Sequence, residues 1–208
     1  GAAIDSTSVA TWYRDTTVHR RFLQADDRYL VIADDVAGSG SSLSWMLHGN
    51  GGGTSGGTFT PTEPGGRWEV GEGRLDSGVA VVGQDPTLEP VTSIHEVPYT
   101  QERTHTALRA SVPTGSARSI QVLYPTAVGS PAPVITRTGT PDDATVEVLD
   151  VSGDRRVRAT TAAGTTSIVD ERLDGSLRLA HQEGSDVLRH GDVDLVRTAE
   201  PGALGIRL

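Results

Sequence analysis

Short stretches of alternating apolar and polar residues run through most of the chain and predict β-strands. Residues 21–24 and 28–33 are expected to pair across an Asp-Asp turn, and residues 43–47 form a third strand whose Leu and Trp side chains share one face. Residues 50–64 are rich in Gly, Thr, Ser and Pro and are predicted to form a long loop. These elements place a glycine-rich loop directly after a strand that ends in histidine.

The second half repeats the same pattern. Residues 104–112 alternate and are expected to pair with residues 119–123 across a tight turn, and the Pro-rich residues 125–133 predict a crossover between sheets. Further on, short strands recur roughly every ten residues between the turns SGD, AAG, LDG and QEG, a spacing typical of β-sandwiches. No segment has a sustained helical period. The sequence therefore predicts an all-β, antiparallel sandwich of two large sheets, with a core in residues 1–130 and a terminal meander in residues 131–208 that completes the same sandwich.

The amino-acid composition excludes several kinds of partner and reaction. The 208 residues carry a formal net charge of -9, which argues against nucleic acid as a partner. No run approaches the roughly 18 apolar residues that a membrane span needs, so no membrane is expected among the partners. With no cysteine and no lysine among the 18 basic residues, thiolate and Schiff-base chemistry are excluded, and any metal must use His and carboxylate ligands.

His48 is the leading candidate for function because it ends an apolar strand and opens the loop GNGGGTSGG. A histidine beside a flexible loop can act as a metal ligand, as a general base or as a group that neutralises a substrate carboxylate. A histidine that only caps the strand is the structural alternative. The glycine run lacks the Gly-Lys-Ser/Thr ending of a phosphate loop and precedes no helix, which argues against nucleotide binding.

Two other groups carry candidate chemistry. His19 and Arg21 share one face of their strand, a pairing that suits an anionic sugar, and Asp5, His19 and His48 contain the ligand types for zinc. A third cluster in sequence contains His95, Tyr99, Arg103 and His105. Of these, Tyr99 and His105 are residue types that abstract a proton next to a carboxylate. For each group, an ordinary solvated or packed position on a sheet is the alternative.

Three segments, HRRFLQADDRYLVIADDV, LSWMLHGNGGGTSGGTF and THTALRASVPTGSARSIQVLYPTA, resemble the C-terminal β-domain of heparinase II/III-like polysaccharide lyases. The resemblance covers residues 1–130, and the remainder matches by its strand spacing. It implies an enzyme in which a helical toroid and a β-sandwich close over a uronic-acid-containing polysaccharide and cleave it by β-elimination. Such an enzyme must stabilise an enolate-like dianion with preorganised charge or donors.

The resemblance also implies roles for individual residues. His48 matches the Leu-His-Gly-Asn position and is the expected catalytic residue, with substrate contacts expected from the side chains Arg21, Asn50, Tyr99 and His105. Asp5 and His19 are the expected zinc ligands. The register of His19 stays open, because the segment around it also matches a later Arg-Arg strand of the family.

We therefore expect part of a secreted or periplasmic polysaccharide lyase. Its expected partners are an anionic polysaccharide and the N-terminal helical domain or chain of the same enzyme, and the isolated 208 residues are expected to lack lyase activity. The alternatives are a non-catalytic carbohydrate-binding or structural β-sandwich module and a surface adhesin module.

Overall fold

A computed structural model describes residues 2–10, 16–25, 28–97, 101–190 and 192–207. The described residues contain sixteen strands and a turn of 3₁₀ helix at Gly53–Ser55. The strands are β1 (Ala2–Ala10), β2 (Thr16–Ala25), β3 (Tyr29–Ala37), β4 (Leu43–His48), β5 (Thr58–Thr62), β6 (Gly65–Val70), β7 (Gly73–Val81), β8 (Thr87–Val97), β9 (Gln101–Val112), β10 (Ala117–Ala127), β11 (Val134–Gly139), β12 (Asp143–Asp150), β13 (Arg155–Ala162), β14 (Thr165–Glu171), β15 (Leu177–His190) and β16 (Val193–Arg207).

The strands form three antiparallel sheets. A seven-stranded sheet has the order β1-β2-β3-β10-β7-β6-β5, a six-stranded sheet runs consecutively from β11 to β16, and a three-stranded sheet has the order β4-β9-β8. The seven-stranded sheet is the middle layer, with the six-stranded sheet on one face and the three-stranded sheet on the other. In the part of the chain that the structure describes, no helix is long and apolar enough to cross a membrane.

Two apolar cores hold the layers together. Between the middle and six-stranded sheets, Val31, Ile120 and Val122 pack against Val146 and Val157. On the opposite face, apolar residues of β4 and β9 pack on Trp68, Val79 and Val81 of the middle sheet. The middle sheet therefore has apolar residues on both faces, as a sheet covered on both sides requires.

The prediction of an all-β antiparallel sandwich is confirmed. The predicted pairing of residues 21–24 with 28–33 is also confirmed, because β2 and β3 form an antiparallel hairpin with Phe22 opposite Ile32. The structure adds a third layer to the expected two sheets. The division of the chain near residue 130 stays a prediction.

The expected pairing of residues 104–112 with 119–123 is wrong. β9 pairs with β4 and β8 in the three-stranded sheet, whereas β10 pairs with β3 and β7 in the middle sheet. The four residues 119–122 of β10 are all buried, a pattern that requires a central strand covered on both faces. The turn after β9 therefore carries the chain between layers.

Two predicted loops are also corrected. Residues 50–64 are not one loop, because β5 lies within them and pairs with β6; Phe59 and Trp68 fix this pairing with ring centroids 5.0 Å apart. The predicted QEG turn lies inside β15, where Gly184 has a φ of 76° and the pairing register shifts. A glycine bulge thus bends one long strand where the sequence indicated two short ones.

Candidate functional site

Three histidines form a row across the three-stranded sheet. Nδ1 of His48 lies 2.9 Å from Nε2 of His105, and Nδ1 of His105 lies 3.0 Å from Nδ1 of His95. Neighbouring rings are tilted, with centroids 5.2 and 5.1 Å apart. His105 is therefore the centre of the row, and both of its ring nitrogens face another imidazole.

Strand register explains why these residues meet. His48 pairs with Ala107 and His95 pairs with Arg103, so each outer histidine is diagonal to His105 on the same face. The intervening residues Trp45, Leu47, Leu108 and their neighbours pack on the middle sheet. Because side chains alternate along a strand, the three histidines lie on the outer face of the three-stranded sheet.

The spacing of the ring nitrogens allows hydrogen bonds between neighbouring imidazoles along the row. A neutral imidazole has one N–H donor and one acceptor nitrogen, so three rings can be linked when all protons point along the row in the same direction. Burial, followed by the charges of His48 and His95, holds the pKa of His105 below its ordinary value. His105, whose residue surface is 7% exposed, is thereby favoured as the neutral form at physiological pH.

Arginines flank the row at both ends. Arg103 is exposed and lies opposite His95 across the β8–β9 pair. Farther along the same face, Arg109 forms an ion pair with Glu89. The face is therefore rich in imidazole and guanidinium groups, the side chains that bind carboxylates and sulfates.

The backbone conformation of the loop after His48 explains why it is rich in glycine. Gly52, Gly53, Gly56 and Gly57 have φ values of 83°, 61°, 79° and 67°, a region that other residues rarely adopt. The loop packs on β9, where the amide of Thr106 donates to the carbonyl of Gly51 at 2.9 Å. Glycine is needed here for tight turns and close approach, which accounts for the run without a phosphate ligand.

Gly49 follows His48 and lies against the ring of Trp68. A Cβ at position 49 would be 2.2 Å from Cγ of Trp68. The indole is fixed, because its Nε1 donates to the carbonyl of Thr106 at 2.6 Å. The strand end that carries His48 is therefore seated on a buried tryptophan.

Gly49→Ala is expected to lower the free energy of unfolding by about 1–3 kcal/mol, because the methyl group would overlap the indole ring. Gly40→Ala is the matched control, since a Cβ there would be 3.7 Å from the nearest atom, and it should change the free energy by less than about 0.5 kcal/mol. Urea unfolding measures both variants. Equal losses of unfolding free energy in the two variants would show that the close contact with Trp68 does not exclude a larger side chain at position 49.

Arg21 and His19 lie elsewhere. They share a face of β2 as predicted, with Nη2 of Arg21 3.1 Å from Nδ1 of His19. That face points to the six-stranded sheet, where Nε of Arg21 is 3.1 Å from Oε2 of Glu183. The middle and three-stranded sheets separate this group from His48, so the structure does not bring Arg21 together with the histidine row.

Of the two predicted zinc ligands, His19 has a described side chain and Asp5 does not. The backbone of Asp5 lies opposite Arg21 in the β1–β2 pair, two residues from the partner of His19, but the side chain of Asp5 is outside the described residues. Nδ1 of His19 lies 3.1 Å from Nη2 of Arg21. Among the described side chains, no group of three His, Asp or Glu could hold a metal. Zinc at Asp5 and His19 stays a prediction.

The remaining predicted contacts differ in position. Asn50 is exposed in the glycine-rich loop next to His48, whereas Tyr99 lies outside the described residues. Both tyrosines with described side chains are buried between the middle and six-stranded sheets. Tyr124 donates to Oδ2 of Asp150 at 2.9 Å, and burial followed by this hydrogen bond raises its pKa well above the ordinary value. Tyr124 is therefore unsuited to act as a base.

The sequence placed His95 and Arg103 in one cluster with Tyr99 and His105 but assigned them no role in the site. Both lie in the β8–β9 hairpin with His105, and their roles follow from a register in which Ser93 is opposite His105. A hairpin centred near residue 99, with histidines on both arms, was the available signal in the sequence.

Comparison with known proteins supports the fold. No protein-family model and no curated protein matches this sequence. A solved structure of heparinase III matches with a TM-score of 0.54 and 12% identity, over 82% of this chain and 26% of that chain. A mutant of heparan sulfate lyase HepC from Pedobacter heparinus matches with a TM-score of 0.44 and 15% identity, over 82% of this chain and 28% of that chain. The chain thus has a fold like a β-rich part of heparinase III and spans about a quarter of that protein's length.

Proposed function

We propose that this chain is the β-sandwich part of a polysaccharide lyase that cleaves a uronic-acid-containing polymer by β-elimination. The observation that carries the proposal is the histidine row, in which His48 is supported by His105 on an open sheet face. The fold likeness to heparinase III supports the same function. A helical domain, in the same polypeptide or a separate chain, supplies the remainder of the cleft.

In this proposal His48 acts as the base. If its Nδ1–H donates to Nε2 of His105, then Nε2 of His48 carries the lone pair and is directed away from the row. A neutral imidazole of this kind can accept the C5 proton of the uronate. With the hydrogen bonds in this direction, the neighbouring ring holds His48 in the tautomer that a base needs, a role that carboxylates fill in many enzymes.

The remaining steps need groups on both sides of the cleft. As the C5 proton moves to His48, the C5–H electron pair passes towards the carboxylate and gives an enolate-like intermediate. When this intermediate collapses, the pair forms the C4–C5 double bond and the C4–O bond breaks with its electrons on oxygen. An acid of the helical domain protonates that oxygen. Asn50 and Arg103 are exposed near the row and supply donors for the substrate carboxylate, whose charge increases in the enolate-like intermediate.

The elimination is tested with the full-length natural protein and with the 208-residue chain. The full-length protein should release products with an unsaturated uronate, detected by ultraviolet absorbance and by a mass lower than the hydrolysis product by one water. The 208-residue chain should release none, because the acid is absent from it. Saturated products from the full-length protein would refute the proposal, and elimination by the 208-residue chain alone would refute the division of the site.

A carbohydrate-binding module without catalysis is the second candidate. Tyr29 and Tyr124, the two tyrosines with described side chains, are both buried. Among the described residues of the outer face, histidine is therefore the side chain that can accept a proton, without a tyrosine beside it. This favours binding without catalysis. The same assay separates the two functions. A binding module predicts tight association with the polymer and no cleavage by the full-length protein.

A further inference from the structure

We propose that the outer face of the three-stranded sheet is a pH-gated site for the carboxylate or sulfate groups of an acidic polysaccharide, formed by His48, His105, His95 and Arg103. The class of ligand rests on the proposed lyase function. The gating is a property of the row itself, and it adds to that function a dependence of binding on proton uptake.

The geometry of the row limits how many protons it can carry. Each of its two links joins ring nitrogens at hydrogen-bonding distance, 2.9 and 3.0 Å. A link forms when one nitrogen carries a proton and its partner does not. If all three rings were protonated, every link would place N–H against N–H and the rings would have to separate. One added proton can be held by His105, which would then donate to both neighbours, whereas further protonation both charges the row and opens it.

The charged groups around the row leave it without an internal counter-ion. Among the side chains that the structure describes on β4, β8 and β9, the carboxylate on the outer face is Glu89, and it is paired with Arg109. Arg103 adds a positive charge opposite His95. The loops on either side of β4, residues 38–42 and 49–57, contain no ionisable residue. A protonated row would thus be a cationic cluster whose anion must come from outside.

The direction of the pH dependence follows from linkage. Burial, and then repulsion from His48 and His95, lowers the pKa of His105, so near neutral pH the centre of the row is uncharged. A bound anion favours the protonated form and raises that pKa. Binding therefore takes up protons, and the affinity for the anion increases as the pH falls. Arg103 alone supplies a permanent charge on this part of the face at neutral pH.

The test measures dissociation constants of the 208-residue chain at constant ionic strength, at about pH 5.5 and about pH 7.5, a range that spans the titration of histidine. The probes are polygalacturonate fragments for carboxylate, dextran sulfate for sulfate and neutral dextran as a control. Both acidic polymers stay ionised in this range. We expect binding at least about tenfold tighter at the lower pH for an acidic polymer, and no binding of dextran. The two acidic probes show which anion the site prefers.

Variants assign the effect to the row. His105→Gln should clearly reduce the pH dependence, because it removes the centre of the row, and His95→Gln, at a half-buried position on the edge strand, serves if the first variant does not fold. His190→Gln is the matched control, because His190 lies on the six-stranded sheet against Glu171. pH-independent affinity, or a pH dependence that is unchanged by the loss of His95 or His105, would overturn the proposal. If pH-dependent binding is found but the full-length protein produces no elimination product, the lyase function fails and the binding site stands.

Discussion

Arg20→Ala is expected to lower the free energy of unfolding by about 3 kcal/mol, because it leaves the carboxylate of Asp34 buried without its partner. Arg20 and Asp34 are direct cross-strand neighbours, joined by two hydrogen bonds of 2.6 Å. The Asp34 side chain is 0% exposed, whereas that of Arg20 is 41% exposed. The partly exposed guanidinium of Arg20 therefore neutralises the buried carboxylate of Asp34.

The neighbouring pair Arg118–Asp35 is a matched control in the same sheet. Its partners also lie directly opposite each other, with Nε of Arg118 3.0 Å from Oδ2 of Asp35, but their side chains are 37% and 36% exposed. Arg118→Ala should cost less than about 1 kcal/mol, since an ion pair in contact with water contributes little. Urea unfolding of both variants measures the difference.

A double variant tests whether desolvation is the cause. Replacing both partners, with Arg20→Met and Asp34→Leu, removes the buried charge and should recover much of the loss in the single variant. Equal losses for Arg20→Ala and Arg118→Ala, or no recovery in the double variant, would contradict this explanation of the Arg20–Asp34 pair.

Local patterns predicted the strands well because alternation reports which face of a strand is covered. The hairpin of β2 and β3 followed from two alternating stretches and a short polar turn, and no distant residue was needed to specify it. The pairing of β9 and β10 was wrong for the opposite reason. A tight turn between two apolar strands fits both a hairpin and a change of layer, and the choice depends on packing against the middle sheet.

The residues of the candidate site also differ in how far local sequence could identify them. His48 was identified from its position between a strand and a glycine-rich loop, which is local information. Its contact with His105, 57 residues away, depends on the register of two strand pairs and could not be derived from spacing. Arg21 was assigned to substrate because a guanidinium beside His19 suits an anion, but Glu183 of the six-stranded sheet supplies that anion. Sequence reveals which groups carry charge, whereas the fold determines which charge each one meets.

The three-layer arrangement gives the proposed site its rigidity. Trp68 lies beneath Gly49 and donates to the strand that carries His105, so one buried side chain supports both halves of the link between His48 and His105. Side chains held on a packed sheet keep their geometry better than those on loops. The exposed groups of the glycine-rich loop, such as Asn50, can adjust to a ligand beside this fixed row.

The most direct test of the central claim is the rate of unsaturated uronate formation by full-length protein carrying His48→Gln. Glutamine keeps a hydrogen-bonding side chain but cannot take a proton, so kcat/KM should fall by about 10²–10⁴-fold. His190→Gln, on the six-stranded sheet, should leave the rate unchanged, and circular dichroism checks the fold of both variants. A His48→Gln protein that is folded and retains kcat/KM within about twofold of the unmodified protein would contradict the assignment of His48 as the base.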